Sequence, residues 1–407
     1  MELFKSKVCS YCKGRKQICG RPKCPILERF RIVKNTKSIL NKKEIFGASP
    51  PSIFVGEFGY PKVRIGPMVP PVEGNTSHLD NPLKWENASI ENILEYRSML
   101  VMGQATANVN VNKNSSYLSD IQELSMAIKP VDSEITLKHK PSLNVVPSEF
   151  APPLGPRGEL LKFKISENPK IPNKSEYIVN DDFKASEAVI SLYNAGFDEY
   201  YIIKLLSAGL LGLNKKLVPT RWSITAIQDM LGKNLKKEVL GRPYINNYEL
   251  YFYEFLGNRY TVLLMPDQYS FELLEVWLNG SLFGSKNPRV LGDFEDIKGI
   301  KDYAKETTGA FYASRLSVLE HLRKRKRQSK VLIFREVTPK YYAPVGVWQI
   351  RTGVKKALEN PIGKFDNLNN ALNNVKKFLR APLEGYTSKS KILKNRKRQA
   401  ILDAYLN

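Results

Sequence analysis

All four cysteines of this 407-residue chain fall within sixteen residues near its start. They are Cys9, Cys12, Cys19 and Cys24, and their spacing is C-x2-C-x6-C-x4-C. Thiolates spaced in this way can hold one tetrahedral zinc ion, and a site with all four positions filled is structural rather than catalytic. The spacing therefore predicts a small N-terminal module that folds on a metal ion.

The residues around these cysteines support metal binding. Nearby cations favour thiolates and offset the negative charge of a ZnCys4 centre. They are Lys7, Lys13, Arg15, Lys16, Arg21 and Lys23. Disulfides are rare in intracellular chains. An iron–sulfur cluster uses similar ligands and stays open as an alternative to zinc.

Composition indicates a globular chain with a sizeable core. Hydrophobic residues make up 42% and charged residues 25%, as in ordinary domains, and the length suits one large or two smaller domains. The sequence holds no run of about 18 apolar residues, so we expect no membrane contact. The start lacks the apolar stretch of a signal peptide, so we expect a cytoplasmic location.

Positive charge is concentrated at the two ends of the chain. The net charge is +23. Residues 1–43 carry 13 Lys and Arg against 2 Glu, and residues 380–407 carry 7 against 2 acidic residues. Localised charge of this kind favours contact with a polyanion, and nucleic acid is the polyanion that we expect. The alternative is a generally basic, lysine-rich proteome.

The printed sequence closes on the octapeptide QAILDAYL, followed by one Asn. One helical turn would place Leu402, Tyr405 and Leu406 on a common face, with Gln399 filling a small polar pocket. This pattern is typical of peptides that bind the DNA sliding clamp PCNA. The basic stretch Lys389–Arg398 precedes it as a leash. Tyr-Leu in place of two aromatic residues predicts modest affinity.

Two proline-rich stretches interrupt the body of the chain. The first, 50–82, predicts a hairpin of two strands, Ile53–Val55 and Lys62–Ile65, joined by a Gly-Tyr-Pro turn. The second, 141–172, predicts an extended connector and the best internal boundary. Residues 26–43 predict a basic amphipathic helix whose charges either face DNA or are solvated.

The second half of the body predicts a second hairpin, Leu250–Phe255 with Arg259–Met265. A long helix is predicted within Lys301–Arg327 and a strand at Val345–Ile350. These elements indicate a mixed α/β fold, specifically α+β, with one central sheet flanked by helices.

The predicted organisation has three parts. A zinc module with its basic helix spans 1–45, an α/β body spans 46–380, and a flexible basic tail with the clamp motif spans 381–407.

Cations that suit phosphate are the best site candidates in the body, because arginine presents a planar fork to phosphate oxygens. Lys216, Arg221 and Trp222 precede a helix predicted to open with Ser223 as its cap, and helix N-termini bind anions. An ordinary cap with a buried tryptophan is the equal alternative. Five consecutive cations end the long helix. The nucleic-acid or phosphate candidates are Lys216, Arg221, Trp222, Arg315, Arg323, Arg325, Arg327, Arg335 and Arg351.

Catalytic chemistry has weaker support. The three histidines form no metal-ligand pair, and no cysteine remains as a nucleophile once zinc is assigned. A group of carboxylates could bind Mg²⁺ as in a nuclease, although acidic residues around turns are usually solvated. They are Asp267, Glu272, Glu275, Asp293, Glu295 and Asp296. The catalytic residues stay unknown and enzyme activity stays open.

Several uncommon runs occur in order along the chain, namely SPPSIFVGEFGYPKVRIGPMVPP, KLVPTRWSIT, FLGNRYTVLLMP, TTGAFYASRLSVLE, REV and PVGVWQIR. Together with the four-cysteine start, they resemble the archaeal Nre family of DNA-repair proteins over nearly the whole chain. The resemblance implies a C4-type zinc finger and a PCNA-interacting (PIP) motif, carried by the four cysteines and by Gln399, Leu402, Tyr405 and Leu406. A role in repair after DNA damage would follow.

The favoured hypothesis is a DNA-repair protein that PCNA and the basic zinc module bring to DNA, and that binds DNA itself in the nucleoid. One alternative is an enzyme that processes nucleotides or nucleic acid through an Arg/Lys phosphate site. Another is a scaffold for other repair factors without direct DNA contact.

Overall fold

The structure, a computed structural model, describes residues 39–110, 116–143, 154–166 and 169–395. The four cysteines, most of the predicted basic helix and the octapeptide lie outside these residues. Contacts divide the chain into two units. Of the described residues, the N-terminal unit holds 39–231 and Pro344–Gly346, and the C-terminal unit holds 232–343 and 347–395.

The N-terminal unit contains one mixed sheet. Its strands are β1 (Glu44–Ser49), β2 (Ser52–Val55), β3 (Lys62–Val69), β4 (Val101–Asn108), β5 (Val131–Leu137) and β6 (Arg157–Ile165). The order across the sheet is β1-β5-β6-β4-β3-β2. Among these six described strands, β4 and β6 pair in parallel and the other neighbouring pairs are antiparallel; β2 with β3 form the hairpin that the sequence predicted.

Five helices accompany this sheet in the described chain. They are α1 (Ile90–Ser98), α2 (Ser116–Met126), α3 (Asn173–Asn180), α4 (Ala185–Asn194) and α5 (Glu199–Ser207). In β3, Val63 and Ile65 are buried while Lys62 and Arg64 are exposed, because successive strand side chains point to opposite faces. Helix α2 packs against β2, β3 and β6. Residues 195–198 separate α4 from α5.

Helix α6 (Thr220–Val239) begins in the N-terminal unit, and the division between the units falls between its residues Leu231 and Gly232. The helix starts three residues before the predicted Ser223 cap. Ser223 is fully buried, and its hydroxyl donates to the carbonyl of Val218 at 3.4 Å.

The C-terminal unit contains a second six-stranded sheet. Its strands are β7 (Tyr248–Phe255), β8 (Asn258–Met265), β9 (Ser270–Trp277), β10 (Val290–Glu295), β11 (Lys330–Val337) and β12 (Pro361–Phe365), in the order β10-β9-β11-β8-β7-β12. The predicted hairpin is confirmed as β7 and β8. Almost every residue of β9 and β11 is buried, which is typical of central strands covered on both faces.

Four helices within residues 309–389 cover this sheet. They are α7 (Gly309–Arg325), α8 (Trp348–Leu358), α9 (Leu368–Phe378) and α10 (Leu383–Lys389). Helix α8 packs against β7, β8 and α7. On the other face, Leu250, Leu332 and Phe334 of the sheet form one core with Val375 of α9 and Tyr386 of α10.

The chain stays in this core beyond residue 380. Ile392 and Leu393 join the same cluster of apolar residues, in a helical segment over 391–395. The buried carboxylate of Glu272 in β9 accepts hydrogen bonds from the Ser390 hydroxyl at 2.5 Å and from the backbone N–H of Lys391 at 2.7 Å. The first part of the predicted tail, 381–407, is therefore a packed piece of the C-terminal unit.

A second buried carboxylate holds the start of this segment. Glu336 in β11 accepts hydrogen bonds from the backbone N–H groups of Arg380 at 2.8 Å and Ala381 at 2.7 Å, and from the Tyr386 hydroxyl at 3.1 Å. These donors satisfy the buried Glu336 carboxylate within the fold, as a buried charged group requires.

The mixed α/β class is confirmed, but the described residues form two sheets, one in each unit, where one central sheet was expected. The proline-rich stretch 141–172 supplies β6 to the N-terminal sheet. The strand predicted at Val345–Ile350 is wrong, because helix α8 begins at Trp348 and buries Ile350, Val354 and Ala357 at helical spacing.

Candidate nucleic-acid interface

The loop between β2 and β3 lies against the start of α6 in the N-terminal unit. The backbone N–H of Val55 donates to the Thr220 hydroxyl at 3.0 Å. One oxygen of the Glu57 carboxylate accepts from Nη1 of Arg221 at 3.0 Å, and the other accepts from Nε1 of Trp222 at 3.2 Å. One side chain of the loop therefore holds two neighbouring side chains of the helix in place.

Three aromatic side chains of this region face solvent. Phe58 is 87% exposed, Tyr60 is 51% exposed and Trp222 is 44% exposed. The ring centroids of Tyr60 and Trp222 are 5.2 Å apart. Large apolar side chains exposed together usually mark an interaction site. The loop turns at Gly59, whose φ of +86° is readily adopted only by glycine.

Exposed cations lie on the same hairpin and around the start of the same helix. Lys62 and Arg64 are exposed on β3, Arg221 is exposed in the first turn of α6, and Lys216 is exposed in the segment before that helix. Backbone hydrogen bonds from Val109 to Pro61 and from Leu217 to Val109, of 2.9 and 3.1 Å, bring the segment that carries Lys216 close to the hairpin. We call this surface the hairpin patch; its residues are Glu57, Phe58, Tyr60, Lys62, Arg64, Lys216, Arg221 and Trp222.

The structure thus brings together three of the residues singled out in the sequence, Lys216, Arg221 and Trp222. Trp222 is 44% exposed, whereas the alternative of an ordinary cap expected a buried tryptophan. Sequence reasoning gave Phe58 no role and assigned Tyr60 only to a turn. The available signal was two aromatic residues around a glycine in a loop too short to bury them.

Three other arginine candidates are buried in the C-terminal unit and paired with carboxylates. Arg315 donates to Glu295 at 2.9 Å. Arg351 contacts Glu320 at 2.6 Å. The charges of these guanidinium groups are therefore matched within the unit, as buried charges require.

Arg335 is the third buried arginine. It pairs with Glu275 and donates to Oδ1 of Asn258 at 2.7 Å. Trp277 donates from Nε1 to the same Glu275 carboxylate at 2.7 Å. This network joins three strands of the sheet.

The arginines at the cationic end of α7 differ in exposure and pairing. Arg325 binds Glu249 through both terminal nitrogens, at 2.5 and 2.9 Å. Arg323 makes an exposed ion pair with Glu238 at 2.9 Å, and Arg327 is exposed. Burial lowers the pKa of the nearby His321 to about 4, so His321 stays neutral near pH 7.

The carboxylates considered for Mg²⁺ are engaged separately. Asp267 pairs with Lys330 at 2.6 Å, and Asp293 accepts from the backbone N–H groups of Glu306 and Thr307 at 3.0 and 2.6 Å. Among the described residues, no group of three or more His, Cys, Asp or Glu side chains could hold a metal ion. No helix within the same residues is long and apolar enough to cross a membrane.

Two family models match the chain. "Archaeal Nre, N-terminal" matches residues 18–284, and "Archaeal Nre, C-terminal" matches residues 295–405. The chain belongs to the archaeal Nre family. The resemblance inferred from the sequence is confirmed.

Curated relatives of this Nre-family chain carry the name DNA repair protein. NreA of Archaeoglobus fulgidus is 42% identical over 89% of this chain and 92% of its own length. NreB of the same organism is 34% identical over 97% of this chain and 98% of its own length. NreA of Haloferax volcanii is 37% identical over 85% of this chain and 86% of its own length. No solved structure matches the chain.

The buried arginines can be distinguished from surface cations by mutation. We expect Arg335→Ala to lower the free energy of unfolding by about 3–5 kcal/mol, because Glu275 would lose its buried counter-charge. Arg323→Ala removes an ion pair whose side chains are 43% and 38% exposed, so we expect a loss of less than about 1 kcal/mol. Urea unfolding of both variants measures the difference. Equal, small losses would show that Arg335 is not structural.

Proposed function

We propose that this Nre-family chain acts in DNA repair, that it binds DNA, and that the sliding clamp PCNA brings it there. The observation that carries the proposal is the hairpin patch. Exposed aromatic side chains lie among cations on its surface, in a chain whose curated relatives are named DNA repair proteins.

The patch has the two kinds of group that nucleic acid needs. Its Lys and Arg side chains can neutralise phosphates, which releases counterions and makes binding depend on salt. Its rings can contact bases. Glu57 fixes Arg221 and Trp222 before any ligand binds, so less side-chain freedom is lost on binding.

The clamp motif would leave the fold close to the C-terminal sheet. Leu393 is buried, and Gln399 follows it by six residues, which span at most about 20 Å when fully extended. A short basic connection would hold the clamp and the C-terminal unit near each other, and tethering of this kind raises the effective concentration of a weak motif.

The zinc module would add a second basic contact with DNA. Cys9, Cys12, Cys19 and Cys24 supply four thiolates, which is a complete structural zinc set. We expect the purified chain to contain one zinc ion by elemental analysis, and Cys12→Ser to lower that content. Iron together with visible absorption would instead identify an iron–sulfur cluster.

DNA binding is tested by salt titration of the full chain with a fluorescent oligonucleotide. We expect the affinity to fall steeply as the salt concentration rises. Arg221→Ala should weaken binding and make the slope of the logarithm of the binding constant against the logarithm of the salt concentration shallower by about 1. Lys138→Ala is the matched control, since Lys138 is an exposed cation of the same unit paired with Glu159 at 3.3 Å. Binding that is weak and insensitive to salt would favour the scaffold without DNA contact.

Clamp binding is tested by pull-down with purified PCNA. We expect removal of residues 398–407 to abolish capture without changing the thermal unfolding midpoint, and Leu402→Ala to have the same effect because it removes an apolar anchor. Asp403→Asn changes a position outside the pattern and should retain capture. Undiminished capture of the truncated chain would rule out the motif as the clamp tether.

A further inference from the structure

We infer that the hairpin patch is a stacking site for unpaired bases of single-stranded DNA, in which Phe58 enters the strand between two bases. The inference rests on the proposed DNA binding and names the form of DNA that this surface takes. Three properties of the patch carry it: the exposure of its rings, their fixed placement and the charges around them.

The exposure of Phe58 has no explanation in the fold. Phe54, four residues earlier in β2, is partly buried and packs against Met68, Leu79, Leu100 and Met102. Phe58 stands 87% exposed at the turn of the same hairpin. Burying a phenylalanine contributes about 1.5–3 kcal/mol, and this side chain forgoes that contribution. A ligand with an apolar face would recover it.

The ring of Trp222 is held in place. Its Nε1 donates to Glu57 at 3.2 Å, and Tyr60 lies 5.2 Å from it between centroids at an interplanar angle of 42°. The remaining exposed surface of the indole is therefore available in a fixed orientation. A fixed aromatic face stacks on a base at low entropic cost.

Charge complementarity selects a polyanion over an apolar protein segment. Lys62, Arg64, Lys216 and Arg221 outnumber Glu57, the carboxylate of the patch. The single carboxylate of Glu57 is already paired with the guanidinium of Arg221 at 3.0 Å. A strand whose phosphates contact these cations brings its bases to the rings.

The rings then favour single strands over duplex. In a duplex the base faces are stacked on one another, and the grooves present only the edges of the bases. A protruding phenylalanine gains contact only where bases can separate, as in wedge side chains that unstack a base step. Unpaired bases offer both faces without that cost, and aromatic stacking on them tolerates any sequence.

The experiment compares a labelled oligothymidine of about 15 nucleotides with a duplex of equal length, at one salt concentration, using the full chain. We expect tighter binding of the single strand. Phe58→Ala and Trp222→Ala should each weaken single-strand binding by about 5- to 100-fold, while duplex affinity changes by less than about twofold. Trp222→Phe keeps a ring and should retain most of the affinity.

Phe46→Ala is the matched control. Phe46 is a 46% exposed aromatic residue in β1, at the opposite edge of the same sheet from β2, and its removal should leave both affinities unchanged. Single-stranded DNA should also quench tryptophan fluorescence, and Trp222→Phe should remove most of that change, since Trp85 and Trp348 are buried and the partly buried Trp277 belongs to β9 of the C-terminal unit.

The possible outcomes separate this inference from the proposed function. Wild-type single-strand affinity in both alanine variants, or an equal loss on duplex, would overturn the stacking site while salt-dependent DNA binding stands. Absence of binding to either oligonucleotide by the wild-type chain would overturn the proposed DNA binding itself. Unchanged unfolding midpoints in the variants confirm that any loss is local.

Discussion

Buried carboxylates on the central strands of the C-terminal sheet determine how that unit closes. Glu272 and Glu336 lie on β9 and β11, which are covered on both faces, so each needs hydrogen-bond donors from the protein itself. The donors are supplied by the segment 380–392, whose backbone N–H groups and hydroxyls reach both carboxylates. Removal of this segment would take these donors away from both carboxylates, would leave Glu336 with the guanidinium of Arg259 at 3.6 Å, and would expose the core that Tyr386 and Leu393 fill.

This arrangement gives the segment 380–393 a structural role. The chain is packed at least as far as Leu393, and the octapeptide QAILDAYL begins six residues later. In the proposed clamp complex, a connection this short would restrict the volume that the C-terminal unit explores around the clamp. Under that proposal, recruitment and folding would share one stretch of chain.

In the hairpin patch, by contrast, a carboxylate organises side chains that stay exposed. The Glu57 carboxylate accepts hydrogen bonds from the Arg221 guanidinium and from the Trp222 indole, and so fixes both side chains at the surface. The same carboxylate in a buried position would need full satisfaction, as Glu336 does. At the surface it can organise the cations and rings and still leave them accessible to a ligand.

Local patterns predicted much of the secondary structure. Both hairpins follow from turn residues between β-branched and aromatic runs, and the long helix α7 follows from its apolar spacing. The pattern failed at Val345–Ile350, where valines favour a strand but Ile350 and Val354 pack onto the sheet from a helix. Nor could it find Phe58, because exposure at a turn depends on what the rest of the chain leaves uncovered.

The sequence by itself determined the family, the mixed α/β class and the four-cysteine spacing, because these are carried by residue identity and spacing. Only the tertiary structure decided which cations are accessible. Arg221 and Arg335 are equivalent as letters, yet one lies at the surface beside exposed rings and the other is buried against Glu275. The difference comes from burial, because a guanidinium in the core must be neutralised by the fold, while one at the surface can still bind a phosphate.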